Sequence, residues 1–314
     1  MAPNEPKYSV VIPVFNSAGI VGQVIDQTGA FFSQHGWDYE IILVNDGSRD
    51  KSWEVISQKA RENPHVVAIN LMRNYGQHTA VYCGFEHSTG DFVITIDDDL
   101  QNPPEEIIHL IDKMGEGGYD TILGRFKQKR HSNVRNLGSY GIRLINNRIF
   151  HCPKDIVPTN FRLIRREVIE RILQYHTAYP YITGLVLMFS GRIGNAWVEH
   201  RERQEGKSNY NFYKIMSLVL RILFNYSVLP LRLVSTIGFV ISLLSFLAGI
   251  LLIINKLLQN VQAEGWTGIM VMLAFFNGMI ILLLGMLGEY TVRILQQISS
   301  KEIYHTKEVV KHGT

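Results

Sequence analysis

An α/β domain on a mostly parallel sheet, followed by an amphipathic segment and an apolar helical hairpin, is what this sequence predicts. Three observations predict it. Apolar runs of strand length alternate with helix-patterned segments from Tyr8 to Arg125, joined by short links. Such alternation builds parallel sheets covered on both faces. Polar clusters stand at the ends of those runs, where open parallel sheets bind ligands. No charged residue occurs from Leu233 to Asn255 or from Gly265 to Gly288. Each of those runs is long enough to cross a hydrocarbon core of about 30 Å at about 1.5 Å per helical residue.

The elements follow in order. "YSVVIPVFN" is a buried-type strand ending at Asn16, and "AGIVGQVIDQTGAFFSQ" has helical spacing. "YEIILVNDGS" is a second strand closed by an Asp-Gly-Ser turn, and "DKSWEVISQKARE" is helical. "VVAINL" is a third strand, with Arg73 and Asn74 past its end, before the helix "GQHTAVYCGFEHS". "DFVITIDDD" is a fourth, running into Asp97, Asp98 and Asp99. The helix after it is started by Pro103 and Pro104 and favoured by Glu105 and Glu106 through the dipole. "DTILGR" is a fifth strand, ending at Arg125, with a basic stretch from about Lys127 to Arg148 beyond it. "NFRLIRREV" and "RIGNAWVEHRE" have strand character.

The expected organisation is an α/β domain over 1–206, an amphipathic segment over 207–230, a hairpin over 231–292 and a cytoplasmic tail over 293–314. The spans are placed at about 233–256 and 265–290. Lys207, Lys214 and Arg221 among aromatics and leucines suit a helix lying in the membrane interface, the alternative being an amphipathic helix packed on the domain. Arg221, Arg232, Arg293, Lys301 and Lys307 flank the hairpin and its link carries only Lys256, which puts both ends in the cytoplasm. Gly238/Ser242 and Ser245/Gly249 are small pairs that allow close helix packing. The alternative is a pair of buried helices in a large soluble core.

Bulk composition excludes several classes. With 46% hydrophobic residues and a net charge of +3, the chain is not disordered and shows no nucleic-acid footprint. Cys83 and Cys152 have neither metal-ligand nor disulfide-framework spacing, as in a reducing compartment. The N-terminal "MAPNEPKYSVVIPVFN" has no basic region before a long apolar stretch, so no signal peptide is expected.

Three adjacent carboxylates at a strand end need a reason. If the strand continues through them, Asp97 and Asp99 share a direction and Asp98 points away. Two unpaired carboxylates on one side raise each other's pKa, and a divalent cation removes the conflict. Asp99, with the amide oxygen of Gln101, is a hard oxygen set suited to Mg²⁺ or Mn²⁺ that leaves positions open for substrate phosphates. The alternative is a solvated acidic loop. No Walker or GxGxxG loop is present, and no Ser-His-Asp or Cys-His arrangement can be defended.

"SVVIPVFN", "VNDGSRDKS" and "DDDLQNPPEE" resemble glycosyltransferase family 2, whose Rossmann-like fold is called GT-A. "RNYGQHTAVYCGF", "NFRLIRREV", "RQEGKSNY", "PLR" and "GMLGEYTVRI" resemble its polyprenyl-phosphate glycosyltransferases, and "RNYGQH" and "LGEY" most resemble the undecaprenyl-phosphate 4-deoxy-4-formamido-L-arabinose transferase branch. The resemblance covers nearly the whole chain. The family's usual Asp-Ala-Asp reads Asp97-Asp98-Asp99 here, so the middle residue departs.

The resemblance implies roles. Pro13 and Asn16 match the first wall of the nucleotide pocket, Asp46 the carboxylate that pairs with uracil, and Arg73 stands beside them. Asp97 matches the nucleotide- or sugar-contacting member of the motif, and Asp99 with Gln101 the metal ligands. Arg125 and Arg135 match the arginines that hold diphosphate and acceptor phosphate. Arg203 and Ser208 match a segment that closes over the donor.

The implied reaction is inverting, metal-dependent transfer from a UDP-sugar to undecaprenyl or another polyisoprenyl phosphate on the cytoplasmic face of a bacterial inner membrane. It would feed lipid A, O-antigen or other envelope glycan modification, with a modified aminosugar or a plain hexose as donor. The resemblance also implies a homo-oligomer, a tetramer in relatives. Alternatives are a dolichyl-phosphate-mannose-synthase-like transferase using another nucleotide sugar and a non-catalytic membrane-bound nucleotide- or lipid-binding scaffold. A processive polysaccharide synthase would carry QxxRW and more spans, and a transporter more membrane than one hairpin.

Overall fold

The computed structural model describes residues 6–126, 146–175, 177, 179–201, 212–227, 229–259, 265–299 and 303–313. Its strands are β1 (Tyr8–Val14), β2 (Tyr39–Asn45), β3 (Val66–Leu71), β4 (Phe92–Thr95), β5 (Thr121–Phe126), β6 (Arg162–Arg165), β7 (Ile193–Val198) and β8 (Thr306–Val310). They form one sheet in the order β7-β5-β6-β4-β1-β2-β3-β8. β1 is parallel to β2 and β4, β2 to β3, and β5 to β7, while β6 and β8 run antiparallel to their neighbours. The sheet is mostly parallel, as expected, and its parallel strands end on one edge.

The helices of this unit are α1 (Val21–His35), α2 (Ser52–Glu62), α3 (Gln77–His87), α4 (Ile107–Gly115), α5 (Arg166–Gln174) and α6 (Ile182–Phe189). A single 3₁₀ turn, Pro104–Glu106, opens the way to α4, so the Pro-Pro pair sets a short turn before the helix proper. The core is continuous, from Val10, Ile12 and Leu43 in the central strands to Val24 and Phe32 in α1 and Leu110 in α4. α3 lies so close to β1 that a Cβ on Gly84 would collide with Val11. That close approach seats the first turn of α3 beside the end of β4.

Two stretches differ from expectation. "NFRLIRREV" holds only a four-residue strand before α5 begins at Arg166, because β6 pairs between β4 and β5 only over Arg162–Arg165. The expected tail over 293–314 is not a single segment. Helix continues to Ser299, and Thr306–Val310 returns as β8 on the free edge of β3. Covering an exposed edge in this way removes a row of unpaired backbone groups. The hydroxyl of Tyr304 also donates to Glu86 on α3.

The chain divides into two compact units, residues 1–216 with 302–314, and residues 217–301. α7 (Phe212–Tyr226) leads into the second, which contains α8 (Leu229–Gln259) and α9 (Trp266–Ser299). Tyr290 donates to the carbonyl of Ser227 at 3.3 Å. A Cβ on Gly238 would stand 3.5 Å from Met279 and 3.8 Å from Leu283, so this small residue does lie against the facing helix. Among the described residues no helix is long and apolar enough to cross a membrane. Even so, Leu243, Leu247, Leu251, Leu273, Leu284 and Leu287 are exposed on α8 and α9.

Candidate active site

The acidic triplet does not continue β4. The strand ends at Thr95, and Asp97 to Asp99 form a turn. Leu100 closes that turn with a left-handed backbone, φ 54°, and a buried side chain. A bulky residue adopts that conformation only where its surroundings hold it, here by burial. Strand alternation therefore does not set the directions of the three carboxylates, because β4 stops before the triplet begins.

Each aspartate has its own task. Asp97 Oδ1 accepts from Gln77 Nε2 at 2.6 Å. Asp98 Oδ2 accepts from Phe15 N–H at 3.0 Å, which ties the loop after β1 to the turn. Asp99 Oδ1 accepts from Gln101 N–H at 3.1 Å, a local Asx-type turn. Burial first, then the charges of Asp99 and Asp98, push the Asp97 carboxyl up to about 7 against the pull of Arg162 and Gln77. Burial also lifts Asp98.

The first wall is built from the β1 and β2 ends. Pro13 lies in β1 beyond the last β4 pair, Val11 with Thr95, so its missing N–H leaves no bond to that strand unmade. Asn16 is left-handed, φ 52°, a conformation that Asn tolerates. Its N–H donates to Ser48 Oγ at 3.0 Å and its Oδ1 accepts from Arg49 N–H at 2.8 Å. Asp46 is buried, and its two oxygens accept from Tyr75 N–H at 2.7 Å and Gly76 N–H at 2.9 Å. Burial raises its pKa against those two bonds. Gly47 is required beside it. Its φ is +65°, and a Cβ there would sit 2.5 Å from Asn74 N. Arg73 is exposed, with its guanidinium 4.9 Å from the Tyr75 ring centre.

On the other side of β4, Arg125 lies within β5 and stacks over Trp197 of β7 at 4.6 Å. Arg135, Arg203 and Ser208 lie outside the described residues.

Sequence reasoning gave no role to four groups that the fold brings to Asp97. Gln77 and His78 open α3, and Asn160 and Arg162 enter β6. With Val81, Thr95, Asp97 and Ile182 they line a cavity of about 10 Å³. Arg162 is only 2% exposed. Its Nε donates to Thr95 Oγ1 at 3.1 Å and to Asn160 O at 3.2 Å, and its Nη2 to Asn160 Oδ1 at 3.0 Å. Nη1 has no partner among the described residues. An unmade bond on a buried charged donor costs about 1–3 kcal/mol or more. Burial lowers the Arg162 pKa to about 10, with Asp97 and Tyr181 opposing. Burial, then Arg162, lowers His78 to about 4, so its imidazole is neutral near pH 7. The available signal was an arginine set between apolar neighbours, Phe161 and Leu163, at the start of a short strand.

The donor set fits a hard divalent cation. It is all oxygen, and the Asp97 carboxyl is held up first by burial and then by the like charges of Asp99 and Asp98, which a cation would offset. Among the described residues no group of three His, Cys, Asp or Glu side chains converges as a complete cage. The protein would therefore supply few ligands and leave the rest to substrate phosphates and water, as Mg²⁺ sites commonly do.

Residues 9–173 match the family described as glycosyl transferase family 2. The chain belongs to glycosyltransferase family 2. This family 2 chain is 37% identical over 313 residues to the undecaprenyl-phosphate 4-deoxy-4-formamido-L-arabinose transferase of Klebsiella pneumoniae, covering 98% of this chain and 95% of that protein. The Proteus mirabilis protein of the same name is 37% identical over 97% of this chain and 94% of its own. Among solved structures, glucosyl-3-phosphoglycerate synthase from Mycobacterium tuberculosis, in complex with Mn²⁺, UDP and phosphoglyceric acid, superposes with a TM-score of 0.51 at 17% identity. That match covers 70% of this chain and 77% of that one, and shows the GT-A-like α/β fold.

Proposed function

We propose that this glycosyltransferase moves a sugar from a UDP-sugar to undecaprenyl phosphate, or a related polyisoprenyl phosphate, with inversion at the anomeric carbon. The observation that carries this is the 37% identity over almost the whole chain to transferases named for undecaprenyl phosphate. The acidic turn at the strand ends supports it. The donor we infer is a modified pentose of the 4-deoxy-4-formamido-L-arabinose type, with plain hexoses as the comparison.

An oxygen of the acceptor phosphate forms the new bond to the anomeric carbon as the bond to UDP breaks. A phosphate monoester is largely dianionic near neutral pH, so no general base is needed. Arginines steer and partly shield that dianion. We assign this to Arg125, near the end of β5 on the sheet edge where β4 also ends, and to Arg135, with Arg203 and Ser208 closing over the donor. Asp46 and Asn16 shape the nucleotide end, with Pro13 behind them and Arg73 at the rim. Asp99 and Gln101 would hold the divalent cation, Mg²⁺ or Mn²⁺, whose use the Mn²⁺ of the mycobacterial complex supports. When bound, the cation supplies charge stabilisation for the departing diphosphate.

The lipid acceptor requires a membrane surface. We place α7 in the membrane interface and infer that the apolar faces of α8 and α9 hold the chain at the membrane, the catalytic unit being cytoplasmic. The charge-free runs Leu233–Asn255 and Gly265–Gly288 support this, as do the exposed leucines of α8 and α9.

Purified protein in detergent micelles with undecaprenyl phosphate, Mg²⁺ or Mn²⁺ and a panel of UDP-sugars tests the reading. The expected result is one sugar-phosphate-lipid product by mass, abolished by EDTA. Bound UDP with no product from any donor, or a product retaining anomeric configuration, overturns it.

A further inference from the structure

The segments "RNYGQH" and "NFRL" are far apart in sequence, and the fold brings both to one cavity beside Asp97. We propose that this cavity is the subsite that reads the donor sugar, taking one uncharged oxygen of a ring substituent, a hydroxyl or an amide carbonyl, on Arg162 Nη1. It rests on the reading of the acidic turn as the donor site.

Five features define that ligand. Arg162 is locked in place by Thr95 and Asn160, which leaves Nη1 as the arm with no partner among the described residues. A phosphate is disfavoured because the Asp97 carboxylate lines the same cavity and the rest of the guanidinium fork is already committed. His78 lies edge-on to Tyr181, ring centres 5.1 Å apart, and burial keeps it neutral, so it adds no second cation. The cavity, about 10 Å³, is the size of one water, so it takes a single substituent oxygen and not a sugar ring. Gln77 donates to Oδ1 of Asp97, which leaves the carboxylate able to accept from the O–H of a hydroxyl substituent as well. A hydroxyl seated there accepts from Arg162 and donates to Asp97, whereas a formamido group enters with its carbonyl oxygen alone, accepts from Arg162, and leaves its N–H outside the cavity. A site built for such a group rejects analogues lacking it, since its own buried polar atoms are then left unpaired.

The test separates the nucleotide from the sugar. Affinities of full-length protein in micelles would be measured by calorimetry for UDP, UDP-4-deoxy-4-formamido-L-arabinose, UDP-L-arabinose and UDP-xylose. Arg162→Met removes the donor. His78→Phe and Gln77→Leu alter the cavity from the α3 side, so that the result does not depend on Arg162→Met folding. In all folded variants UDP affinity should stay within about twofold, while the added affinity for the preferred sugar nucleotide falls about tenfold or more. Discrimination among the three sugar nucleotides should shrink with it.

Preference for the formamido donor would assign a carbonyl oxygen to Nη1, and preference for UDP-L-arabinose a hydroxyl. Variants that bind sugar nucleotides and UDP in the wild-type ratio would overturn the subsite and leave Arg162 a structural strut with a bound water. Equal losses for UDP and its sugars would overturn it in favour of a nucleotide role. A wild-type protein that binds no UDP would sink the donor-site reading and the subsite together.

Discussion

Asp46 and Arg162 are both buried charges at strand ends, on opposite sides of the acidic turn, and they are satisfied in opposite ways. Asp46 has each oxygen filled by a backbone N–H, from Tyr75 and Gly76. Arg162 binds Thr95 and Asn160 and, among the described residues, keeps one nitrogen without a partner. The first charge is used up in holding the loop after β3 against the turn after β2. The second is held rigid but incomplete. A group of the first kind should respond to mutation mainly in stability, and one of the second kind mainly in ligand recognition. The aspartates between them combine the two, since Asp98 holds the β1 loop while Asp97 faces the Arg162 cavity.

The largest effect tests the turn between the two regions. Asp99→Ala should cut turnover by about 10²–10³-fold or more, the scale for removing one electrostatic stabiliser of a developing charge. Mn²⁺ binding, followed by calorimetry in the presence of UDP, should weaken with it. A variant that keeps both turnover and Mn²⁺ affinity would show that the acidic turn holds no catalytic metal.

On the Asp46 side the first prediction is mechanical. Gly47→Ala places a methyl 2.5 Å from Asn74 N at a left-handed backbone position. The expected loss is about 1–3 kcal/mol of stability, read as the denaturation midpoint of the detergent-purified protein. Asp46→Asn is subtler. It keeps the shape but turns one acceptor into a donor facing an N–H. About 1–3 kcal/mol is expected again, and the loop after β3 should show faster hydrogen exchange. If Asp46→Asn were instead fully stable with UDP affinity abolished, the carboxylate would act on the base and not on the loop.

These contrasts also explain what the sequence made legible. β1 to β5 could be read because each is an apolar run closed by Asn, Asp, Gly or Arg, and the fold keeps all of them. β8 could not, since Thr306–Val310 is short, charged and largely exposed, and exists through pairing with an edge 235 or more residues earlier. The acidic triplet stands out in the sequence as a candidate site, but alternation read along the strand overruns Thr95 because nothing local announces that Leu100 turns left-handed. Asp46 is visible in the sequence only as a polar residue at a strand end, and its backbone partners, Tyr75 and Gly76, come from the loop after β3. Arg162 was passed over because a four-residue antiparallel strand followed at once by a helix has no period to read. Its meaning depends on Thr95, Asn160 and Asp97, which only the sheet order brings together.

The smallest expected effect is a cancellation, and it sharpens the comparison on the Arg162 side. His78 is neutral in the folded protein down to about 4, whereas in the unfolded chain it takes a proton near 6.5. Its contribution to stability is therefore full above about pH 6.5 and lost as pH falls toward 4. Asp97 does the reverse. Its folded pKa is raised to about 7 from 3.8, so its charge destabilises the fold at higher pH and protonation relieves this as pH falls through 7. Both groups line one cavity and titrate over one window, so without metal their slopes oppose each other and the wild-type profile between pH 7 and 4 should be shallow in this respect. His78→Phe should remove the falling contribution and make the protein gain relative stability on acidification, by about 1–2 kcal/mol. Asp97→Asn should do the opposite and steepen the loss. Melts in EDTA across that range read both slopes. Two variants that parallel the wild-type profile would mean that neither group is shifted and that the cavity is open to water.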